Sequence, residues 1–255
     1  MADIFGLHGR HVLVTGASSG LGRHFARTLA DAGGRITLAA RRTQPLQESV
    51  AAIRAAGGEA GATALDVADA GSVEAALDAA EAAFGPVAVL INNAGVTETR
   101  PALEVEEDGW DRVMDTNLRG AWLMAQRTAR RMVRHGTAGS IVNIASILGL
   151  RVGGGVIAYA VSKAGLVQMT KALALEWARH RIRVNALAPG WFRTEMTDGR
   201  MFGDERAEKW LKQRTPMGRG GNDDELDGAL LFLASDASSF VTGQVLCVDG
   251  GWTSV

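Results

Sequence analysis

The sequence predicts an α/β fold: a doubly wound parallel sheet of about seven strands with helices on both faces. Short β-rich runs alternate with longer alanine- and leucine-rich segments along all 255 residues. The runs are apolar along most of their length, as is typical of strands that are buried on both faces. Right-handed crossovers between such strands give a doubly wound sheet. No proline- or serine-rich linker and no internal repeat interrupts the alternation, so we expect one domain spanning residues 1–255.

The elements follow in order from these patterns. Seven strands are predicted at His11–Thr15, Arg35–Ala39, Gly61–Asp66, Val87–Asn92, Ser140–Ser146, Arg183–Ala188 and Gln244–Val248. Helical periodicity predicts helices at roughly 20–32, 43–56, 70–84, 107–134, 157–179 and 223–235. The segment at about 190–219 has no predicted strand and mixes aromatic with charged residues. We expect it to cover a binding crevice; the alternative is a surface excursion that packs on its own domain.

Composition limits the classes of function. The net charge of −1 gives no reason to expect binding to nucleic acid or to an anionic membrane. The N-terminus lacks the apolar core of a signal peptide, and no run approaches the ~20 apolar residues of a membrane span. The single Cys247 excludes an internal disulfide, and the five histidines show no metal-ligand spacing. We therefore expect a cytoplasmic protein without a metal site.

A glycine-rich turn follows the first strand. It reads T-G-A-S-S-G-L-G and contains Gly16, Gly20 and Gly22. Glycines allow close approach to a pyrophosphate, and the amides at the start of the next helix favour negative charge. The spacing differs from the familiar G-x-G-x-x-G. Ser18 and Ser19 either contact phosphate or cap the helix.

The end of the second strand predicts which dinucleotide is bound. It reads L-A-A-R-R, with Ala40 where an acid would bind the ribose hydroxyls, followed by Arg41 and Arg42. Guanidinium suits a 2′-phosphate by charge and geometry, so NADP(H) is expected as the preferred cofactor and NAD(H) remains possible. The alternative is that one or both arginines are solvated residues at the helix start. Asp66, followed by Val67, is predicted to end the third strand and to meet the adenine amino group.

The only tyrosine of the chain, Tyr159, stands four residues before Lys163 and thirteen after Ser146. Residues at i and i+4 share a helix face, so the lysine can lie beside the phenol. A phenol with an ordinary pKa of about 10 needs such help to transfer protons near neutral pH. A nearby serine hydroxyl would hold a substrate oxygen. This arrangement indicates redox chemistry between a carbonyl and an alcohol.

These motifs together resemble those of the single-domain short-chain dehydrogenase/reductases. The glycine pattern, Asp66, N-N-A-G at 92–95, Asn117, Ser146, Tyr159 and Lys163 occur in order, and P-G at 189–190, Thr194 and V-D-G-G at 248–251 follow. The resemblance covers about residues 5–255. It implies a Rossmann-like fold and NADP(H)-dependent interconversion of a ketone and a secondary alcohol.

The resemblance also implies a role for each matching residue. Tyr159 would be the general acid and base, Ser146 would bind the substrate oxygen, and Asn117 would anchor a water that passes protons towards Lys163. Lys163 would hold the nicotinamide ribose and lower the pKa of the tyrosine. Asn92 is expected to line the cleft as well. The cofactor would lie against Gly16, Ser18, Ser19, Gly20, Leu21, Gly22, Arg41, Arg42, Asp66, Val67, Asn93, Ala94, Gly95, Tyr159, Lys163, Pro189, Gly190, Phe192 and Thr194.

The substrate is less constrained. Ser146, Leu148, Trp191 and Met196 are the expected contacts, with Ile147, Val152, Phe192, Met201 and Phe202 nearby. This mostly apolar set favours a hydrophobic or moderately sized ketone over a charged sugar acid. Arg151 and Arg193 remain candidates for meeting a carboxylate or phosphate.

Three further expectations concern partners and alternatives. One alternative is reduction of a 3-oxoacyl thioester on an acyl carrier protein or CoA, with Arg130, Arg131 and Arg134 as a docking surface or merely a solvated helix face. Another is a non-catalytic dinucleotide-binding regulator, which predicts loss of Tyr159 or Lys163, and both are present. The resemblance further implies a homotetramer with the helices near 107–134 and 157–179 at one interface.

Overall fold

The protein is described here from a computed structural model, which covers residues 3–194, 197 and 202–255. In that part of the chain seven parallel strands form one sheet in the order β3-β2-β1-β4-β5-β6-β7. The strands are β1 (His11–Thr15), β2 (Arg35–Ala40), β3 (Glu59–Ala64), β4 (Val89–Asn92), β5 (Gly139–Ile144), β6 (Ile182–Pro189) and β7 (Val245–Val248). The predicted fold class is confirmed.

Helices follow the strands in alternation. They are α1 (Gly20–Asp31), α2 (Thr43–Ala55), α3 (Ala70–Phe84), α4 (Glu107–Met114), α5 (Ala121–His135), α6 (Ile157–Trp177), α7 (Glu205–Arg214) and α8 (Asp227–Ala234). Local chemistry sets several of their ends. The Asp69 carboxylate accepts a hydrogen bond from the Ser72 amide at the start of α3. Gly136, with φ at 66°, ends α5 in the left-handed conformation that favours glycine.

Adjacent residues of a strand point to opposite faces of the sheet, and in this protein both faces are buried. Val12 and Val14 of β1 belong to one apolar cluster, which includes Phe25 and Leu29 of α1. Leu13, between them, belongs to a second cluster with Leu77 of α3. This two-sided burial explains why the strands read as continuous apolar runs.

Two of the predicted strand ends that bear on the site were wrong. Strand β3 ends at Ala64, and the amide of Asp66 donates to the Ser72 hydroxyl at 2.9 Å instead of joining the sheet. Strand β5 ends at Ile144, so Ser146 lies beyond it and begins a short 3₁₀ turn. Asp66 and Ser146 are therefore loop residues that project from the carboxyl edge of the sheet.

The predicted helix at 107–134 was also wrong in one respect. It is interrupted by a π-helical segment, Asp115–Gly120, which separates α4 from α5. Such wide turns are rare and are often found at functional sites. Asn117 lies within this segment.

The sheet order places the site. It reverses between β1 and β4, whose following loops run to opposite sides and leave a crevice at the carboxyl edge. Helix α7 lies in the segment predicted to cover that crevice. No helix within the described residues combines the length and apolarity needed to cross a bilayer.

Candidate active site

Two adjoining cavities open at the carboxyl edge of the sheet. The first, which we call the long cleft, has a volume of about 620 Å³ and runs past the ends of β1, β2 and β4. The second, the side cavity, has a volume of about 730 Å³ and lies against α7. The residues that line both are Thr97, Ser146, Tyr159, Gly190 and Thr197. Tyr159 and Ser146 therefore stand where the two cavities meet.

The glycine turn shapes one end of the long cleft. A Cβ atom on Gly16 would lie 2.8 Å from the Cα atom of Ala94, and one on Gly22 would lie 2.4 Å from the carbonyl oxygen of Gly16. Gly20 is different, since the nearest atom to its ideal Cβ position is Thr194 Cβ at 3.8 Å. Its backbone thus faces open space at the first turn of α1, where free amides favour an anion.

Asn93 and Thr15 hold this turn in place. The Asn93 side chain donates to the carbonyl oxygens of Thr15 and Gly16 at 2.9 and 3.3 Å. The Thr15 hydroxyl in turn accepts from the amides of Asn93 and Ala94, each at 3.0 Å. Sequence reasoning missed Thr15, although its position immediately before the glycine turn was a usable signal. Asn92, expected to line the cleft, instead ties β4 to Asn143 of β5 and to Ala121.

Arg42 and two serines form a polar cluster at the other side of the turn. The Arg42 guanidinium donates to the hydroxyls of Ser18 and Ser19 at 3.2 and 2.9 Å. Ser19 occupies the N-cap of α1 but makes no side-chain cap hydrogen bond. The side chain of Ser19 therefore does not cap α1, and contact with phosphate is the alternative that remains for it. Ala40 and Arg41 line the same part of the cleft.

Helix α6 brings Tyr159 and Lys163 together as its spacing predicts. The Lys163 Nζ atom lies 5.6 Å from the centre of the Tyr159 ring and donates to the carbonyl oxygen of Ile144 at 2.6 Å. Lys163 is 4% exposed, and burial lowers the pKa of its amine to about 8. Charge on this amine is thus costly in the folded protein.

The pKa of Tyr159 departs from the expectation. Burial raises the pKa of the phenol above its ordinary value, and hydrogen bonding from Ser146 offsets this only in part. The lowering of this pKa by Lys163 stays a prediction. The phenol is therefore held in its protonated form near neutral pH. The Ser146 hydroxyl also accepts from the Leu148 amide at 3.1 Å.

Asn117 joins three parts of the site. Its Oδ1 atom accepts from the Val96 amide at 2.8 Å, and its Nδ2 atom donates to the Val96 carbonyl at 2.9 Å and to the Ser162 hydroxyl at 3.0 Å. Both side-chain N–H groups are thus used within the protein. Asn117 is 1% exposed and lines neither cavity. Its visible role is to fix the loop after β4 against α6.

The structure brings together nearly all of the predicted cofactor and substrate residues. All those expected to meet the cofactor line the long cleft, which also contains Leu65, Val96, Thr97, Arg112, Thr116, Ile144, Ala145 and Thr197. Leu148 and Trp191 line the side cavity as expected. Met196, like Met201, lies outside the described residues. Sequence reasoning missed Thr99, Asp204, Arg206, Ala207, Trp210, Arg214 and Trp252, which also line the side cavity.

Three arginines singled out in the sequence have other partners. Arg151 donates to the Thr253 carbonyl at 2.5 Å, and Arg193 stacks on Phe202 with Cζ 5.2 Å from the ring centre. Neither lines a cavity. Arg131 is buried and forms ion pairs with acids of α3, Glu74, Asp78 and Glu81, at 2.7–3.0 Å. Arg131 therefore does not belong to an exposed docking surface for an acyl carrier, whereas Arg130 and Arg134 are exposed.

Comparisons with known proteins agree with this geometry. A family model described as Enoyl-(Acyl carrier protein) reductase matches residues 16–253. The gluconate 5-dehydrogenase of Gluconobacter oxydans is 42% identical over 98% of this chain and 97% of its own length. The galactitol 2-dehydrogenase (L-tagatose-forming) of Cereibacter sphaeroides is also 42% identical, over 98% of this chain and 97% of its own.

A solved structure gives the same result. The gluconate 5-dehydrogenase from Burkholderia cenocepacia, crystallised with NADP and tartrate, is 41% identical, with a TM-score of 0.95 over 99% of this chain and 98% of its own. The chain belongs to the short-chain dehydrogenase/reductase family. The predicted family and the predicted oxidoreductase activity on CH–OH groups are thereby confirmed.

Proposed function

We propose that this short-chain dehydrogenase/reductase uses NADP(H) to interconvert a secondary alcohol and a ketone on a polyhydroxylated compound, either a sugar acid or an alditol. The observation that carries the proposal is the position of Tyr159 and Ser146 at the junction of the long cleft and the side cavity. A dinucleotide in the cleft and a substrate in the side cavity would meet at these two hydroxyls. The names of the similar enzymes support the substrate class.

The long cleft fits a nicotinamide dinucleotide phosphate. Gly16 and Gly22 pack the turn closely, and Gly20 faces open space at the start of α1, which leaves room for a pyrophosphate. Arg42, with the hydroxyls of Ser18 and Ser19, would hold the 2′-phosphate beside Arg41, and no carboxylate stands at Ala40 to repel it. Asp66 and Val67 would bound the adenine. Thr194, with Asn93, Ala94, Gly95, Pro189, Gly190 and Phe192, would enclose the remainder.

The chain's own residues would handle the proton. When bound, the nicotinamide supplies or accepts the hydride. During reduction the Ser146 hydroxyl would donate a hydrogen bond to the carbonyl oxygen, and Tyr159 would give its phenolic proton to that same oxygen. During oxidation the alcohol proton would return to the Tyr159 phenolate. Lys163 would stabilise that phenolate and hold the nicotinamide ribose, and Asn117 would fix α6 and anchor a water that carries protons away.

The raised pKa of Tyr159 favours one direction near neutral pH. A protonated phenol is ready to act as an acid, which is what reduction of a ketone needs. Oxidation needs the phenolate, which becomes more abundant as pH rises. We therefore expect reduction to proceed well at neutral pH and oxidation to improve in alkali.

The side cavity is more polar than the apolar lining predicted from the sequence. Its walls suit a hydroxylated chain of carbons. The indole rings of Trp191, Trp210 and Trp252 offer flat apolar surfaces for C–H groups. Thr97 and Thr197 add hydroxyl groups beside the reaction centre, and Arg206 and Arg214 add positive charge. We therefore replace the earlier preference for a hydrophobic ketone with a polyhydroxylated one.

The remaining predictions concern organisation and location. We propose that residues 1–255 form one dinucleotide-binding domain in which the segment at about 190–219 covers the side cavity, because α7 supplies Trp210 and Arg214 to its wall.

A homotetramer is supported by exposed apolar residues on α5 and α6, namely Trp122, Val133, Ile157, Val161 and Leu175. Sedimentation of a monomer at micromolar concentration would contradict it. A cytoplasmic location stays a prediction from the sequence.

The experiment for this function is a turnover panel. Purified protein is mixed with NADPH or NADH and with 5-keto-D-gluconate, L-tagatose, an aliphatic ketone or a 3-oxoacyl thioester, and loss of reduced dinucleotide is followed by absorbance. The proposal expects turnover with NADPH on at least one polyhydroxylated ketone. Turnover confined to the thioester or to the aliphatic ketone would contradict it.

A further inference from the structure

Helix α7 presents one side to the side cavity. Ala207, Trp210 and Arg214 are spaced three and four residues apart and therefore share a helix face, and all three line the cavity. Arg206 lies at the edge of the same face and also lines it. Leu211, next to this face, is buried at 2% exposure and anchors the helix to the protein. The orientation of α7 is thus fixed by packing, with two arginines towards the cavity.

These two arginines differ from three other arginines of the chain. Arg100 and Arg112 both pair with Glu98, and Arg193 lies 3.9 Å from the Glu208 carboxylate. Within the described residues, by contrast, no carboxylate lies within ion-pairing distance of Arg206 or Arg214. Among the described residues, therefore, no carboxylate neutralises the charge of these two arginines.

The carboxylate that lines the side cavity is already engaged. Asp204 is the N-cap of α7, and its Oδ1 atom accepts from the Ala207 amide at 2.7 Å. Its charge also favours the positive end of the helix dipole. Asp204 thus has a structural role at one end of α7, whereas Arg214 stands at the other end, about three turns away.

Arg214 is positioned by stacking. Its Cζ atom lies 5.8 Å from the centre of a Trp210 ring, and Trp210 meets Trp191 edge to face with 6.2 Å between ring centres. Trp191 directly follows Gly190, which lines both cavities. A guanidinium stacked on a ring keeps the N–H donors at its edge, in the fork geometry that matches a carboxylate. The indole pair thus links Arg214 to the reaction centre and leaves its donors available.

We propose that Arg214, assisted by Arg206, is the specificity-determining residue that binds the carboxylate of the substrate. This inference rests on the proposed function and narrows it: the chain acts on sugar acids, such as keto-aldonates, in preference to neutral alditols and ketoses. Both kinds of substrate occur in the names of its relatives, so family membership does not decide between them. The positive charge of the two arginines on α7 favours the sugar acids.

The test compares an anionic and a neutral ketone with the same enzyme. The wild type should have a higher kcat/KM for 5-keto-D-gluconate than for L-tagatose, both with NADPH. Arg214→Met should raise the KM for the keto acid about 10- to 100-fold, the loss expected for hydrogen bonds to a charged group. Its kcat should change less than about threefold, because uniform binding rather than transition-state stabilisation is removed. The kinetics on L-tagatose should stay within about threefold.

Two further variants sharpen the comparison. Lys212→Met removes the same charge from the opposite side of α7, and Lys212 lines neither cavity. It should leave both substrates unaffected, which excludes a long-range effect of net charge. Arg214→Lys keeps the charge without the fork and should recover part of the loss. NADPH affinity and melting temperature report whether each variant is folded.

Four results would overturn the inference. The first is an unchanged KM for the keto acid in a folded Arg214→Met protein. The second is an equal loss on both substrates, which would indicate a general effect on the cavity. The third is a wild-type enzyme that prefers L-tagatose, which would refute the assignment of acids while leaving the proposed function intact. Turnover of neither compound, with NADPH still bound and another ketone reduced, would refute the proposed substrate class and this inference with it.

Discussion

The Nζ atom of Lys163 donates a 2.6 Å hydrogen bond to the carbonyl oxygen of Ile144, the last residue of β5. This bond joins α6 to the carboxyl edge of the sheet and holds the lysine beneath the junction of the two cavities. This hydrogen bond is the polar contact of a buried amine, and burial lowers the pKa of that amine to about 8. The arrangement that serves proton transfer therefore destabilises the folded protein.

The first prediction concerns stability and pH. The folded-state pKa of Lys163, about 8, lies below the ordinary lysine value of 10.5, so the unfolded chain binds more protons between these pH values. The penalty is fully present below about pH 8 and is relieved as pH rises towards 10.5. Lys163→Met should therefore be more stable than the wild type at pH 7, by up to about 3 kcal/mol less the lost hydrogen bond.

The measurement is urea unfolding of both proteins at a series of pH values. The advantage of the variant should shrink as pH increases from 8 to 10.5. Lys171→Met, which removes an exposed amine from the same helix, controls for loss of a lysine from α6. A difference between wild type and Lys163→Met that does not vary with pH would show that the amine is not buried as a charge.

The second prediction concerns the glycine turn. A Cβ atom on Gly22 would lie 2.4 Å from the Gly16 carbonyl oxygen, a separation that requires the backbone to move. Gly22→Ala should therefore weaken NADPH binding by at least about tenfold and destabilise the protein by about 1–3 kcal/mol, as overpacking does. Dinucleotide fluorescence titration and thermal unfolding measure the two effects.

A second helical glycine provides the matched control. Nothing lies within 4 Å of the ideal Cβ position on Gly228 in α8. Gly228→Ala should stabilise the protein by about 0.5–1 kcal/mol, the difference in helix propensity, and leave NADPH binding unchanged. If both variants bind NADPH like the wild type, the close packing of Gly22 is not needed for the cleft.

The third prediction concerns the choice between the two dinucleotides. Arg42→Asp replaces the guanidinium that meets Ser18 and Ser19 with a charge that repels phosphate. NADPH affinity should fall about 10- to 100-fold, as for other hydrogen bonds to charged groups, with NADH affinity reduced much less. Arg41→Asp should act in the same direction but more weakly, because Arg41 lines the cleft while the two serine hydroxyls accept hydrogen bonds from Arg42.

Arg27→Asp is the control for this pair. It makes the same change of charge on α1 at a position that lines neither cavity. Its effect on the two dinucleotides should be small and equal. Equal losses of NADPH and NADH in Arg42→Asp would show that Arg42 does not distinguish the 2′-phosphate.

Much of the fold and most of the cleft could be predicted because local patterns determine them. The apolar runs gave the seven strands, and the i, i+4 spacing placed Lys163 beside Tyr159. Strand ends were less predictable, since the departure of Asp66 from β3 depends on a bond to Ser72 in the next helix. The π-helical segment at Asn117 was also missed, because its distant partners Val96 and Ser162 are not apparent in the local sequence.

The charged residues show the same limit. The sequence offered Arg131 as a surface residue, yet three acids on one side of α3 bury and neutralise it. Those acids, Glu74, Asp78 and Glu81, are spaced four and three residues apart, so their shared face was readable, but the partner across the interface was not. Helix α7 was not predicted, for a related reason. Its aromatic and charged residues are shared between the face that lines the side cavity and the opposite face, and the sequence alone does not tell these two faces apart.

The most direct test of the account is the rate of ketone reduction by Tyr159→Phe. The substitution removes the phenolic proton and keeps nearly all of the packing, so the proposal predicts that kcat falls about 10²- to 10⁴-fold while the Kd for NADPH and the melting temperature stay close to those of the wild type. The measurement is single-turnover loss of NADPH absorbance with the best polyhydroxylated ketone. A folded variant that binds NADPH and keeps a near-normal kcat would contradict the assignment of Tyr159 as the general acid.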